Sequence, residues 1–160
     1  MSLSTTLEKI KEQFDEGIVT LHQPLGQDTA VVSASVIVDL ARFLKEDSAL
    51  RYDYLMDMTA VDYFKKTPRF EVVYQFLSLK NLTRIRVKVP VDAEKPEVES
   101  LVSLWPSANW YEREVYDMFG ITFRGHPDLK RILMYPEFEG HPLRKDYPID
   151  RRQPLVGPQD

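Results

Sequence analysis

The chain has 160 residues, enough for one domain with an arm, and 43% of them are hydrophobic, enough for a core without covalent staples. It has no cysteine, which excludes disulfides, cysteine-ligated zinc, thiolate-held iron–sulfur clusters and a cysteine nucleophile. Lys and Arg number 21 against 25 Asp and Glu, a net charge of −4 with pI ≈ 5.4, which argues against a nucleic-acid binder.

Met1 to Glu16 is polar and acidic, unlike a signal peptide. Thr5–Phe14 reads as a helix: Thr5 and Glu8 have capping-box spacing, Leu7, Ile10 and Phe14 share a face, and Gly17 suits the stop. Ile18–His22 and Thr29–Ser33 read as strands around a Pro24–Gly26 turn. Ser35 is placed to cap a second helix with Val36, Leu40, Phe43 and Leu44 on one face, ending at Lys45, Glu46 and Asp47. The longest apolar run, Ala30–Val38, is short and holds two serines, so no segment is expected to cross a bilayer. The chain is therefore expected to be soluble and to meet a membrane only through partners.

Arg51–Phe64 is too densely apolar for clean alternation and reads as a strand, a loop and a second strand near Thr59–Phe64. A turn at Lys65–Pro68 leads to a strand over Arg69–Leu79, a Lys80-Asn81 hairpin turn and a strand over Leu82–Val89. In the last, Ile85, Val87 and Val89 alternate with Arg84, Arg86 and Lys88, the mark of an antiparallel sheet with one wet, basic face. Pro90–Glu94 reads as a loop and Glu97–Trp105 as a short helix between Pro96 and Pro106. Asn109 and Glu112 can cap a helix running to Phe119, with a stripe of Tyr111, Val115, Met118 and Phe119 and Gly120 to end it. Nine of the eleven prolines lie from Pro90 onward, and beyond Gly125 they preclude a packed helical or sheet domain. The expected class is α+β: a mixed, largely antiparallel sheet with helices packed on one face, followed by an extended C-terminal arm. The boundary is placed between residues 1–123 and a proline-rich docking arm of residues 124–160.

Three constellations could carry chemistry. Gly125-His126-Pro127 and Gly140-His141-Pro142, with Asp128 and Asp146, could form a two-His, two-carboxylate metal site. Two turns with locally bonded histidines is the stronger reading, because neither histidine has a partner at i+3 or i+4. Glu112, Arg113, Glu114 and Asp117 crowd one helix, but Glu112 and Glu114 point about 200° apart and cannot share a substrate. A solvated or interface salt-bridge helix is favoured over acid–base catalysis. His141–Arg152 sets Arg144, Lys145, Arg151 and Arg152 against Asp146 and Asp150 and lies among many apolar residues. Disordered tails are poor in such residues, so an arm lying along another protein is favoured. Gly-x-Ser-x-Gly, phosphate-binding glycine loops and Gly-x-Gly-x-x-Gly are all missing.

The run Glu112-Arg113-Glu114-Val115-Tyr116-Asp117-Met118-Phe119-Gly120-Ile121-x-Phe123-x-Gly125-His126-Pro127-Asp128-Leu129-x-Arg131-Ile132-Leu133 resembles a signature of the C subunit of NADH:quinone oxidoreductase, respiratory complex I. Gly140-His141-Pro142-Leu143-Arg144-Lys145-Asp146-Tyr147-Pro148 is similar to a second signature, and Asp57–Tyr63 resembles that family too. The resemblance implies a free-standing, non-redox component of the peripheral arm, beside the D (quinone-site) subunit and the B (small iron–sulfur) subunit. The chain would hold no cofactor, while the assembled translocase uses NADH, FMN, iron–sulfur clusters and quinone. The implied location is peripheral, on the cytoplasmic face of a bacterial inner membrane, without insertion and without nucleic acid. The expected catalytic, cofactor-binding and metal residues of this chain are none. Its expected docking residues are Glu112, Arg113, Glu114, Asp117, His126, Arg131, His141, Leu143, Arg144, Lys145, Asp146 and Tyr147. Arg144 and Lys145 would meet acidic groups of a neighbour, and Leu143 and Tyr147 would fill apolar notches. The alternatives are the equivalent component of a membrane-bound hydrogenase or other complex I-like enzyme, an independent metal-dependent hydrolase using Glu114, Asp117, His126 and His141, and an adaptor unrelated to respiration.

Overall fold

The computed structural model describes residues 4–154. Strands β1 (Ile18–His22), β2 (Asp28–Val32), β3 (Tyr54–Asp62), β4 (Phe70–Ser78) and β5 (Thr83–Val91) form one sheet in the order β1-β2-β5-β4-β3. Only the β2–β5 pair is parallel, so the sheet is mixed and largely antiparallel. Alternation sets its two faces. Ile85, Val87, Val89 and Val91 of β5 and Phe70, Val72, Tyr74 and Phe76 of β4 are buried. On the opposite face Lys88 pairs with Glu71 (2.8 Å) and Arg86 bonds Gln27 (2.8 Å).

Helices α1 (Thr5–Phe14), α2 (Ile37–Glu46) and α3 (Ala108–Phe119) contribute to a single core with the buried face of the sheet. α1 buries Leu7 and Ile10, and α2 buries Ile37, Leu40, Ala41 and Leu44; each such Leu or Ile contributes about 2 kcal/mol. The expected fold class is borne out. A second, two-stranded parallel sheet joins β6 (Glu97–Glu99) to β7 (Thr122–Arg124), and beyond Gly125 the described residues form no helix or strand.

Several local expectations are corrected. Glu97–Trp105 is not a helix. Val98 turns inward on β6 beside β7, and the Glu112 carboxylate takes the Ser100 hydroxyl and the Leu101 N–H that a helix would have used internally (both 2.7 Å). β3 is one strand, not two; a register shift between Leu55 and Asp57 hides its alternation. The caps lie earlier than expected: Ser4, not Thr5, accepts the Leu7 N–H (3.2 Å), and Ser33, not Ser35, caps the turn before α2. Asn109 lies inside α3, which starts at Ala108. The β4–β5 turn spans four residues, Leu79–Leu82, because the Asn81 amide reaches across to the Ala49 and Leu50 carbonyls (2.6 and 3.0 Å). Pro90 belongs to β5: β2 pairs only as far as Lys88, so no ladder bond is lost on that side.

Candidate functional site

The expected docking residues gather where α3 ends and the chain from Gly125 onward turns back over it. Gly120 ends α3 in a left-handed conformation (φ 74°), and its N–H bonds the Tyr116 carbonyl (2.9 Å). The His141 ring lies directly over it; a Cβ at position 120 would stand 2.6 Å from that ring. Only glycine satisfies both the backbone and the ring. His141 Nδ1 donates to the Asp117 carbonyl (2.9 Å), and the Leu143 N–H donates to the Met118 carbonyl (3.1 Å). The returning segment thus satisfies carbonyls that a helix C-terminus leaves open.

Asp117 is fully buried and gathers the segment before it. One carboxylate oxygen accepts the N–H groups of Ile132, Leu133 and Met134 (3.0, 2.8 and 2.9 Å); the other pairs with Arg131 at 2.7 Å. Burial pushes its pKa up, but these donors outweigh burial and hold it below the ordinary aspartate range. Arg131 also donates to the Gly140 carbonyl (2.9 Å). Arg113 donates to the carbonyls of Lys130 and Arg131 (3.1 and 3.0 Å).

A second clamp comes from the edge of the sheet. Asp62, buried at the end of β3, pairs with Arg69 (2.7 Å) and accepts the Lys145 N–H (2.8 Å). Arg69 bridges onward to Asp146 (2.9 Å). The Arg69 guanidinium holds the Asp62 carboxyl down at about 2 and lowers Asp146 as well, while both carboxylates raise Arg69. Arg144 lies over the Phe70 ring at 5.2 Å and within 3.5 Å of Asp146. A third contact set is aromatic. Tyr147 stacks on Phe138 (5.9 Å) and Phe138 meets Tyr135 edge-on (5.6 Å), with Gln153 bonding the Tyr147 hydroxyl (2.8 Å).

The structure therefore brings Arg113, Asp117, Arg131, His141 and Leu143 together, and sets Arg144, Lys145 and Asp146 beside Asp62. Tyr147 already fills a notch of its own chain. Lys145 and Glu114 are exposed, as is Leu143 at 52%. Glu112 faces the core on the opposite side and shares nothing with Glu114; burial pushes it up to about 7 against the Ser100 and Leu101 bonds. His126 lies apart: Nε2 donates to the Asn109 carbonyl (3.2 Å) while Nδ1 accepts the Asp128 N–H (3.0 Å). Both rings thus bond carbonyls of α3, 17 and 24 residues back, where locally bonded histidines were expected; only the bond between His126 and Asp128 is local. Among the described residues no group of three or more His, Cys, Asp or Glu could hold a metal ion. None of the described helices is long and apolar enough to cross a membrane. Residues 1–3 and the last part of the expected arm, 155–160, lie outside the described residues.

Asp62 and Arg69 were missed as arm-holding residues. A signal existed: with Met58 and Ala60 facing inward, the strand's period of two puts Asp62 on the core face, where a carboxylate needs a partner.

Residues 30–153 match the model of the respiratory-chain NADH dehydrogenase 30 kDa subunit family. The NADH-quinone oxidoreductase C subunit of Roseiflexus sp. (strain RS-1) is 48% identical over 146 residues, covering 91% of this chain and 84% of that protein. Its counterpart in Geotalea uraniireducens is 46% identical over 151 residues, covering 93% and 91%. The solved structure described as Nqo5 of the trypsin-resistant fragment (1-134) superposes with a TM-score of 0.66 at 34% identity, over 78% of this chain and 100% of that one. A chain of the membrane-bound sulfane sulfur reductase, an archaeal respiratory membrane complex, superposes with a TM-score of 0.72 at 28% identity, over 89% and 84%.

Proposed function

The chain belongs to the respiratory-chain NADH dehydrogenase 30 kDa subunit family, and from that premise we propose that it is a non-redox peripheral component that docks and shapes its neighbours in a proton-translocating NADH:quinone oxidoreductase. Its relatives by name are subunits of an oxidoreductase; the reading adds that this chain supplies contact surface and not chemistry. The neighbours proposed are the D (quinone-site) subunit and the B (small iron–sulfur) subunit. The complex holds NADH, FMN, iron–sulfur clusters and quinone, on the cytoplasmic face of the membrane.

One observation carries the reading. The segment beyond Gly125 has no helix or strand, yet buried Asp117 and Asp62 hold it in a set path along α3 and the edge of the sheet. That path leaves Leu133, Leu143, Ile149 and the Lys145 side chain outward. A preset, irregular ridge with apolar tips and a cation is a low-entropy docking element. Charge reversal at Arg144 or Lys145 is expected to lower the level of assembled enzyme in native gels of solubilised membranes. Lys145→Glu is the cleaner change, because the Lys145 side chain has no ion pair among the described residues. Normal complex levels in both variants would sink the docking role.

A second reading, the equivalent component of a related complex I-like enzyme, draws on the likeness to the sulfane sulfur reductase chain. NADH oxidation by the captured complex separates the two.

A further inference from the structure

Two exposed leucines at one end of the sheet have a conformation that leucine seldom adopts. Leu25, in the turn before β2, and Leu82, in the turn before β5, both have φ 53°. Left-handed backbone is the province of Gly, Asn and Asp; a leucine there is strained by its Cβ. Both side chains also stand in solvent, at 108% and 81% relative exposure. β2 and β5 run parallel with Asp28 opposite Ile85, so the two turns lie at the same end of the sheet. Between them opens a cleft of about 670 Å³, lined also by Gln27, Asp28, Thr83 and Arg84.

The cleft carries one charge of each sign, and the two are unequally held. Asp28 is already satisfied by the Ser4 hydroxyl and by Gln23 (2.7 Å). The Arg84 side chain makes no ion pair or hydrogen bond among the described residues. Arg86, two residues on and on the same face, is held by the neutral Gln27 and by no carboxylate. Two apolar tips and an unanswered guanidinium call for an occupant with aliphatic side chains and a carboxylate.

We propose that the Leu25–Leu82 end of the sheet docks an acidic, aliphatic segment of another polypeptide of the assembly, with its apolar side chains between the two leucines and its carboxylate on Arg84. This inference rests on the chain working inside an assembly, but not on the arm being the element that docks.

The test places a photo-crosslinking benzoylphenylalanine singly at position 25, 82 or 143 of the full chain and irradiates membranes containing the assembled enzyme. Positions 25 and 82 should yield adducts with one and the same foreign polypeptide, at a peptide containing Asp or Glu. Adding Arg84→Glu should cut that yield about tenfold, as expected for like charge at an interface. Adducts to lipid, to a second copy, within the same chain or to a peptide without acids would overturn the proposal. So would no adduct at 25 and 82 while position 143 reacts. Adducts at 25 and 82 with none at 143 would uphold this surface and fail the arm instead; silence at all three positions fails both. Leu25→Asn with Leu82→Asn separates docking from folding. Asparagine accepts left-handed backbone, so the isolated chain should melt no lower than the parent while the assembled enzyme falls; a lowered melting point with normal assembly would also overturn the proposal.

Discussion

The carboxylate of Asp62 accepts the backbone N–H of Lys145, 83 residues further along the chain, at 2.8 Å. The same carboxylate is paired with Arg69, so a single buried group ties the end of β3, the start of β4 and the returning segment together. Removing it as Asp62→Ala leaves the largely buried Arg69 guanidinium with Asp146 alone and strands the N–H groups of Phe64 and Lys145. The expected loss is about 3 kcal/mol, the cost of breaking a buried pair, measured by denaturant unfolding at pH 7. Hydrogen exchange at Lys145 should quicken in parallel. The pH dependence follows from a folded pKa of about 2 against an ordinary value of 3.8. The stabilisation is complete above about pH 4 and fades as pH falls toward 2, so wild type and variant should converge in acid. A constant gap down to pH 2 would show that the charge is not what matters.

Asp117 makes the corresponding tie at the C-terminal half of α3, and its substitution separates local from global effects. Asp117→Asn keeps the size but replaces one acceptor by an NH₂ facing N–H donors or Arg131. Residues 130–134 should come loose, and trypsin should cut after Lys130 or Arg131 at least about tenfold faster than in the parent, because cleavage follows the population of the opened segment. Equal cleavage rates would mean that the segment is held by other contacts. The sheet, which Asp117 does not touch, should keep its exchange protection.

These two carboxylates show what was legible from residue order and what was not. Period two in Arg84–Val89 located a strand and its wet face, and Gly120 located the end of α3, because in each case one local rule decides the outcome. Glu97–Trp105 failed: Pro96 and the spacing of Leu101, Leu104 and Trp105 suit a helix, but pairing with β7 and the Glu112 carboxylate decide the matter, and both are distant in sequence. The acids of α3 were expected on a solvated or partner-facing surface, yet Glu112 and Asp117 point inward to partners 11 to 17 residues away. The position of Glu112 carried a hint. It precedes Val115 by three residues and Phe119 by seven, which puts it in the apolar stripe. What no local pattern reveals is that a segment without helix or strand returns to satisfy Asp117; burying a carboxylate requires that answer, but periodicity does not locate it.

Glu112 should respond to pH in the opposite sense from Asp62. It is wholly buried, and desolvation raises it from 4.5 to about 7 despite the bonds from Ser100 and Leu101. Tyr74 is also buried and is raised well above its ordinary value, by burial first and by Glu112 second. Between pH 4.5 and 7 the folded chain therefore holds a proton that the unfolded chain has released. Stability falls as pH rises through that window, and the loss is complete above it, at about 3 kcal/mol for a shift of this size. Glu112→Gln keeps an acceptor for Leu101 and offers an amide to Ser100, but it cannot ionise. Urea unfolding of both proteins from pH 4.5 to 8 should show the variant gaining on the parent by about 3 kcal/mol across the series. Asp62 and Asp117, whose pKa values are lowered, contribute their slope below about pH 4 and cancel in the difference. Parallel curves would mean that Glu112 keeps its ordinary pKa in the folded chain and that its charge is accommodated in the core.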